Sequence, residues 1–137
     1  MYNLIRFSRN RSTSVEQMDR QTVRASCRLQ DTLQEVFVEI IVKIPDLEIV
    51  SVKGEVLRTY QNDCKIHTDA LQRVVGTRIG PGILKIIKGL IGDATGYKQL
   101  AFMVEECCHA VILSFTKEEL INSPRPEDDA EAIEYYA

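Results

Sequence analysis

The feature that most constrains this chain is a change of hydrophobic period near Tyr60–Cys64. Before it, apolar and polar residues alternate. After it, apolar residues recur at helical spacing. Gln21–Asp31 sets Val23, Ala25, Cys27 and Leu29 on one side and Thr22, Arg24, Ser26, Arg28 and Gln30 on the other, the period-two pattern of a half-buried antiparallel strand. Leu33–Ile44 repeats the pattern, with Val36, Val38, Ile40, Val42 and Ile44 opposing Glu35, Glu39 and Lys43. Pro45-Asp46 supplies a turn, and Leu47–Tyr60 reads as a further valine-rich strand with Gly54 at a bulge or bend. Tyr2–Arg9 reads as a short first strand, and polar Arg11–Arg20 as a loop. Short connections require antiparallel neighbours, because parallel strands need long crossovers.

Beyond the junction, Asn62 or Asp63 can cap a helix by accepting its first free N–H groups. Ala70, Leu71, Val74 and Val75 follow at helical spacing, and Gly76 ends the segment. Ile79-Gly80-Pro81-Gly82 is a turn, with Pro81 suited to open a second helix. Ile83, Leu84, Ile87, Leu90 and Ile91 form that helix's buried face, and Gly92 stops it. A third helix runs over about Tyr97–Phe115. The expected fold is α+β: an N-terminal antiparallel sheet of three to four strands followed by about three helices packed on one face. A length of 137 residues suits a single domain, expected over residues 1–116. Residues 117–137, with Ser123-Pro124-Arg125-Pro126 and the acidic residues after it, read as a mobile acidic tail.

The net charge of −3 argues against general affinity for nucleic acid. Charge is nonetheless unevenly spread. Arg6, Arg9, Arg11, Arg20, Arg24 and Arg28 crowd the N-terminal part against Glu16 and Asp19. This is either ordinary solvated surface or an arginine-bearing face for an anionic ligand or an acidic partner. No stretch approaches the ~20 apolar residues that span a bilayer, and the N-terminus lacks the layout of a signal peptide. A cytoplasmic protein with no membrane association is expected, its cysteines (Cys27, Cys64, Cys107 and Cys108) reduced.

Glu105-Glu106-Cys107-Cys108-His109 invites a metal reading, since thiolates and imidazoles bind zinc and iron–sulfur centres. Helical geometry opposes it. At ~100° per residue, Leu100, Met103, Val104, Cys107, Cys108, Val111 and Phe115 share one face, while His109 lies nearly opposite, beside Glu105. Cys107 and Cys108 therefore read as core, as does Cys27, and Glu105 and His109 as a surface pair. Cys64 differs. If a helix begins at Asn62 or Asp63, its dipole favours the Cys64 thiolate, and His67 falls three residues on, on a nearby part of the same face. Such a pair can hold a metal, activate a thiol or fill a corner. Gly80-Pro81-Gly82 lacks the context of a phosphate-cradling loop, although Arg78 beside it can contact an anion.

Asp31 closing a strand, the strand pair that follows, Cys64, the run Val75-Gly76-Thr77-Arg78-Ile79-Gly80-Pro81-Gly82, and Gly92 and Gly96 through Leu100 together resemble the bacterial domain-of-unknown-function family 2889. The resemblance covers most of the chain outside the tail and implies no established activity. Members of that family often carry Gly-Cys-Thr-His-Leu where this chain has Gly96-Tyr97-Lys98-Gln99-Leu100, so a site that relatives build from that cysteine and histidine would be incomplete here. In layout alone the chain is also similar to NifU-type iron–sulfur scaffold proteins, which place a cysteine just after the last strand.

These readings lead to a non-catalytic accessory or binding protein, with Cys64, His67, Arg78 and Tyr97 as the expected working surface. No cofactor is expected, and the partner is another protein or a small anionic ligand. An alternative is a sulfur or metal carrier, holding an iron–sulfur cluster or zinc through Cys64 with Cys107 and Cys108. A third is a small thiol-dependent enzyme with Cys64 as nucleophile and His67 as base.

Overall fold

The alternation in the sequence becomes a four-stranded antiparallel sheet of order β1-β2-β3-β4. The computed structural model of the chain describes residues 3–60 and 66–122. The strands are β1 (Arg9–Gln17), β2 (Thr22–Asp31), β3 (Glu35–Lys43) and β4 (Glu48–Arg58). A 3₁₀ helix (Thr68–Val74), α1 (Ile83–Ile91) and α2 (Lys98–Asn122) follow. The α+β layout, with sheet before helices, is as expected. No described helix is long and apolar enough to cross a membrane.

The core lies between one face of the sheet and the helices. Val23, Ala25, Cys27 and Leu29 of β2, Val36, Val38, Ile40 and Val42 of β3, and Ile49 and Val52 of β4 are all buried. They meet Leu100, Met103, Val104, Cys107, Cys108 and Val111 of α2, which form the single buried face expected of that helix. Leu71, Val74, Ile79, Ile83, Ile87, Ile91, Tyr97 and Ala101 complete the cluster. The opposite face of the sheet is only half-covered and carries cross-strand ion pairs, Arg24–Glu16 at 3.1 Å and Arg28–Glu35 at 3.0 Å.

Six expectations require correction. The first strand is not Tyr2–Arg9. It runs over Arg9–Gln17, through the stretch whose polarity suggested a loop, and residues 3–8 have no regular structure. β1 is an edge strand, and every residue but Val15 is exposed, so no buried side imposes apolar alternation on it. Gly54 is not a bulge. The register shifts fall at Glu35/Val36 and Ile41/Val42, leaving Leu57 and Val50 as the extra residues; both are exposed. Gly54 is instead a point of close approach, because a Cβ there would overlap the Leu71 side chain and touch Leu100 at 3.5 Å.

The helix expected from Asn62 or Asp63 begins, among the described residues, only at Thr68, and it is 3₁₀. His67 precedes it with non-helical φ −108 and ψ 83. Finally, α1 buries only the i, i+4 line Ile83, Ile87 and Ile91; Leu84 is exposed and Leu90 half-buried. A nine-residue helix touching α2 and the 3₁₀ helix along one side has no neighbour for a wider stripe. Gly82, at φ 82, occupies its N-cap in place of Pro81. The third helix also continues past Phe115 to Asn122, through the expected start of the tail at 117.

Gly54→Val should destabilise the fold by roughly 1–3 kcal/mol, since Leu71 is fully buried and cannot swing away freely. Urea midpoints of the two proteins measure it. A Gly54→Val midpoint equal to that of the parent would show that the approach is not tight.

Candidate anion-binding cleft

β1 pairs with β2 in unbroken register from Arg9↔Asp31 to Gln17↔Val23. Successive side chains alternate between faces, so Arg9, Arg11, Thr13 and Val15 lie on the same face as Leu29 and Cys27, the face that α2 covers further in. α2 also approaches β1, yet every residue of β1 but Val15 stays exposed. A cleft of about 320 Å³ remains between β1 and the first turns of α2, lined by Arg9, Arg11, Leu29, Lys98, Gln99 and Phe102. Three cationic side chains therefore converge above an apolar floor of Leu29 and Phe102.

Each cation has a distinct setting. Arg9 Nε donates to Asp31 Oδ2 at 3.2 Å, with the Asp31 side chain fully buried and that of Arg9 half exposed. Asp31 also accepts the backbone N–H groups of Leu33 and Gln34, both at 2.8 Å, and Gln34 Nε2 at 3.1 Å. Burial pushes the Asp31 carboxyl up, but the bonds from Gln34, Leu33 and Arg9 together outweigh it and hold its pKa below the ordinary carboxylate value. Asp31 anchors Arg9 through Nε and leaves the outer guanidinium N–H groups for other acceptors. The Arg11 guanidinium carbon lies 4.8 Å from the centre of the Phe102 ring, a cation–π contact that fixes the side chain without cancelling its charge. Lys98 opens α2, whose first turn contains no acidic residue, so the positive end of the helix dipole adds to its ammonium. Among the described residues, neither Arg11 nor Lys98 forms an ion pair.

The residues singled out in the sequence lie elsewhere. Cys64 is outside the described residues. His67 is exposed at the start of the 3₁₀ helix, its backbone N–H bonded to Thr95 O at 2.8 Å. Thr95 in turn receives the Tyr97 backbone N–H on its hydroxyl, so His67 and Tyr97 share a neighbourhood. Tyr97 is buried. Burial raises its pKa and the Thr59 side chain acts the other way; its hydroxyl reaches no partner of full hydrogen-bond geometry among the described residues. Arg78 is exposed and bridges to Glu48 at the opposite end of β4, roughly 30 Å of strand from Thr59. The structure thus separates Arg78 from His67 and Tyr97. The helical reading of Cys64 and His67 also loses its basis, because Ile66 and His67 are not helical.

Cys107 and Cys108 are buried thiols. Cys107 Sγ lies 3.9 Å from Val38 O, and burial pushes its pKa far up; burial likewise pushes Cys108 up to about 12. Metal ligation requires thiolate, which this environment disfavours. Among the described residues, no three histidine, cysteine, aspartate or glutamate side chains are grouped to hold a metal ion. His109 is exposed. It does not pair with Glu105, whose carboxyl is raised by burial and lowered by Lys88 of α1.

The arginine-bearing face was visible in the sequence, but its register was not. The signal was Arg9-x-Arg11-x-Thr13-x-Val15, a period-two run hidden by its polarity. Lys98, Gln99 and Phe102 carried no comparable signal, because only the docking of α2 brings them beside β1.

The lowered pKa of Asp31 gives stability that is present above the unfolded value of about 3.9 and is lost as pH falls through the lower folded value. Asp31→Asn should therefore show a shallower fall in urea midpoint below about pH 4; parallel curves would remove the anchoring role. The raised thiol pKa values of Cys27, Cys107 and Cys108 predict alkylation by iodoacetamide at pH 8 at least about tenfold slower in the native protein than in urea. Peptide mapping by mass spectrometry reads this site by site.

The chain matches no protein-family model, no curated protein and no solved structure.

Proposed function

We propose that this is a non-catalytic binding protein that takes an anionic group, from a small ligand or from an acidic partner protein, in the cleft between β1 and the start of α2. The observation that carries the reading is the convergence of Arg9, Arg11 and Lys98 on one cleft, with no carboxylate paired to Arg11 or Lys98 among the described residues. Like charges held together cost free energy unless a counter-charge arrives. Leu29 and Phe102 add an apolar floor for the uncharged part of a ligand. A departure from the domain-of-unknown-function family 2889 that the chain resembles also falls at this cleft. The positions where that family often has threonine and histidine are Lys98 and Gln99 here, and both line the cleft.

Calorimetric titration at low ionic strength with inorganic phosphate and with benzoate tests the proposal. Both should bind. Arg11→Ala and Lys98→Ala should each weaken binding by roughly tenfold, the value of about one charge-assisted hydrogen bond, and Arg78→Ala should leave it unchanged. No heat with either anion, or equal binding to the Arg11→Ala/Lys98→Ala double variant, would discard the reading.

A further inference from the structure

β1 presents a second recognition element beside the cleft. Ser8 O accepts the Thr32 N–H at 3.0 Å and Thr22 O accepts the Met18 N–H at 3.0 Å, so residues 8 and 18 form hydrogen-bonded pairs with β2. In an antiparallel ladder such pairs alternate. With the register unbroken, the even-numbered residues of β1 bond to β2, and the N–H and C=O groups of Arg9, Arg11, Thr13 and Val15 point out from the sheet edge. No backbone hydrogen bond among the described residues reaches that edge. The far edge of β4, by contrast, is engaged by the chain at 76–79, through Ile49 N–H to Thr77 O, Gly76 N–H to Ile49 O and Ile79 N–H to Leu47 O.

The residues with outward backbone groups are also those whose side chains share the cleft face. Past the cleft, a groove of about 470 Å³ continues along β1, lined by Thr13 and Val15 on the strand and by Glu106, His109 and half-exposed Leu113 on α2. A strand added to this edge would therefore place alternate side chains first over a mixed stretch, whose apolar part is Val15, Ala110 and Leu113, and then over two arginines.

We infer that β1 binds an extended polypeptide segment by strand addition, and that the segment carries acidic side chains at two positions spaced i, i+2. The occupant is specified by charge complementarity. An antiparallel strand sets one residue opposite Val15, then others opposite Thr13, Arg11 and Arg9 at steps of two. Acidic side chains at the last two positions meet Arg11, Arg9 and, across the cleft, Lys98. An apolar side chain at the first lies against Val15 and Leu113. This inference rests on the anion-binding reading of the cleft and names its partner.

The test uses the full chain and the blocked peptide Val-Ser-Val-Ser-Glu-Ser-Glu, with inorganic phosphate as the reference anion. The peptide should bind at least about tenfold more tightly than phosphate. Moving its acids to adjacent positions, Val-Ser-Val-Ser-Ser-Glu-Glu, should remove that advantage, since one acid then points away from the arginines. N-methylation of the third and fifth peptide residues should do the same, and N-methylation of the fourth should not. Thr13→Pro removes an outward N–H and no backbone bond to β2, losing there only the contact of the Thr13 hydroxyl with Cys27 Sγ, so it should weaken peptide binding and leave phosphate binding unchanged; the N-methyl series holds if that variant fails to fold. Phosphate binding without peptide advantage, or indifference to acid spacing and N-methylation, overturns strand addition and leaves the cleft reading standing. Binding of neither probe overturns both. Sedimentation showing copies of the chain paired through β1, and separated by Thr13→Pro, would assign the edge to a second copy and overturn the proposal.

Discussion

The packing of α2 along β2 and β3 is the contact on which the rest of the molecule depends. Leu100, Met103, Val104, Cys107, Cys108 and Val111 are buried against the alternating apolar faces of those strands. Large side chains of this kind contribute roughly 1.5–3 kcal/mol each when removed from water. Gly54 extends the contact by letting Leu71 and Leu100 settle directly on β4. α2 runs over β2 with β1 and β3 to either side, yet every β1 residue but Val15 stays exposed. An edge strand only partly covered on the core side carries polar groups where it stays wet, and Arg9, Arg11 and Thr13 do so, while Val15 packs against the core. The cleft is the gap that the first turns of α2 leave over the Arg9–Arg11 end of β1.

Legibility in the sequence tracked burial. β2 and β3 were readable because each has one wet and one dry face, and so was the buried face of α2, down to Cys107 and Cys108. Where burial is weak, the pattern failed. β1 is exposed on both faces except at Val15, so its strand conformation comes from the backbone ladder with β2, which leaves no apolar period. The alternation of α1 suggested five buried residues, and the short helix dries only three. The candidate site was half legible. Arg9 and Arg11 stood out as charge, but their common face depends on a register set by β2, and Lys98 and Phe102 join them only through tertiary packing.

The thiols illustrate how position decides chemistry. Cys27 and Cys107 come from facing layers of the core, and burial there pushes the pKa of each thiol up. A cysteine pair beside a histidine looks like a ligand set when written in one line. On a helix packed to a sheet, the pair faces inward and the histidine faces solvent. His67 makes the same point in reverse. Its spacing from Cys64 suggested a helical face, yet its dihedrals place it before the helix.

Arg9 and Arg11 bear on the sheet edge in two opposing ways. An exposed, unbroken strand of nine residues is a template for pairing with another chain, and charge on its inner side is a common means of blocking that. A neutral or basic strand laid against β1 would press against both guanidinium groups or strip them of water, and either costs free energy. An acidic strand would meet the same groups as counter-charges. Arg9 is already steadied by Asp31 and Arg11 by Phe102, so little side-chain entropy would remain to be lost on pairing. The discrimination therefore does not require two separate devices. One pair of arginines, held on the core side of an uncovered edge, disfavours most strands and favours those whose acidic residues alternate in step with its own.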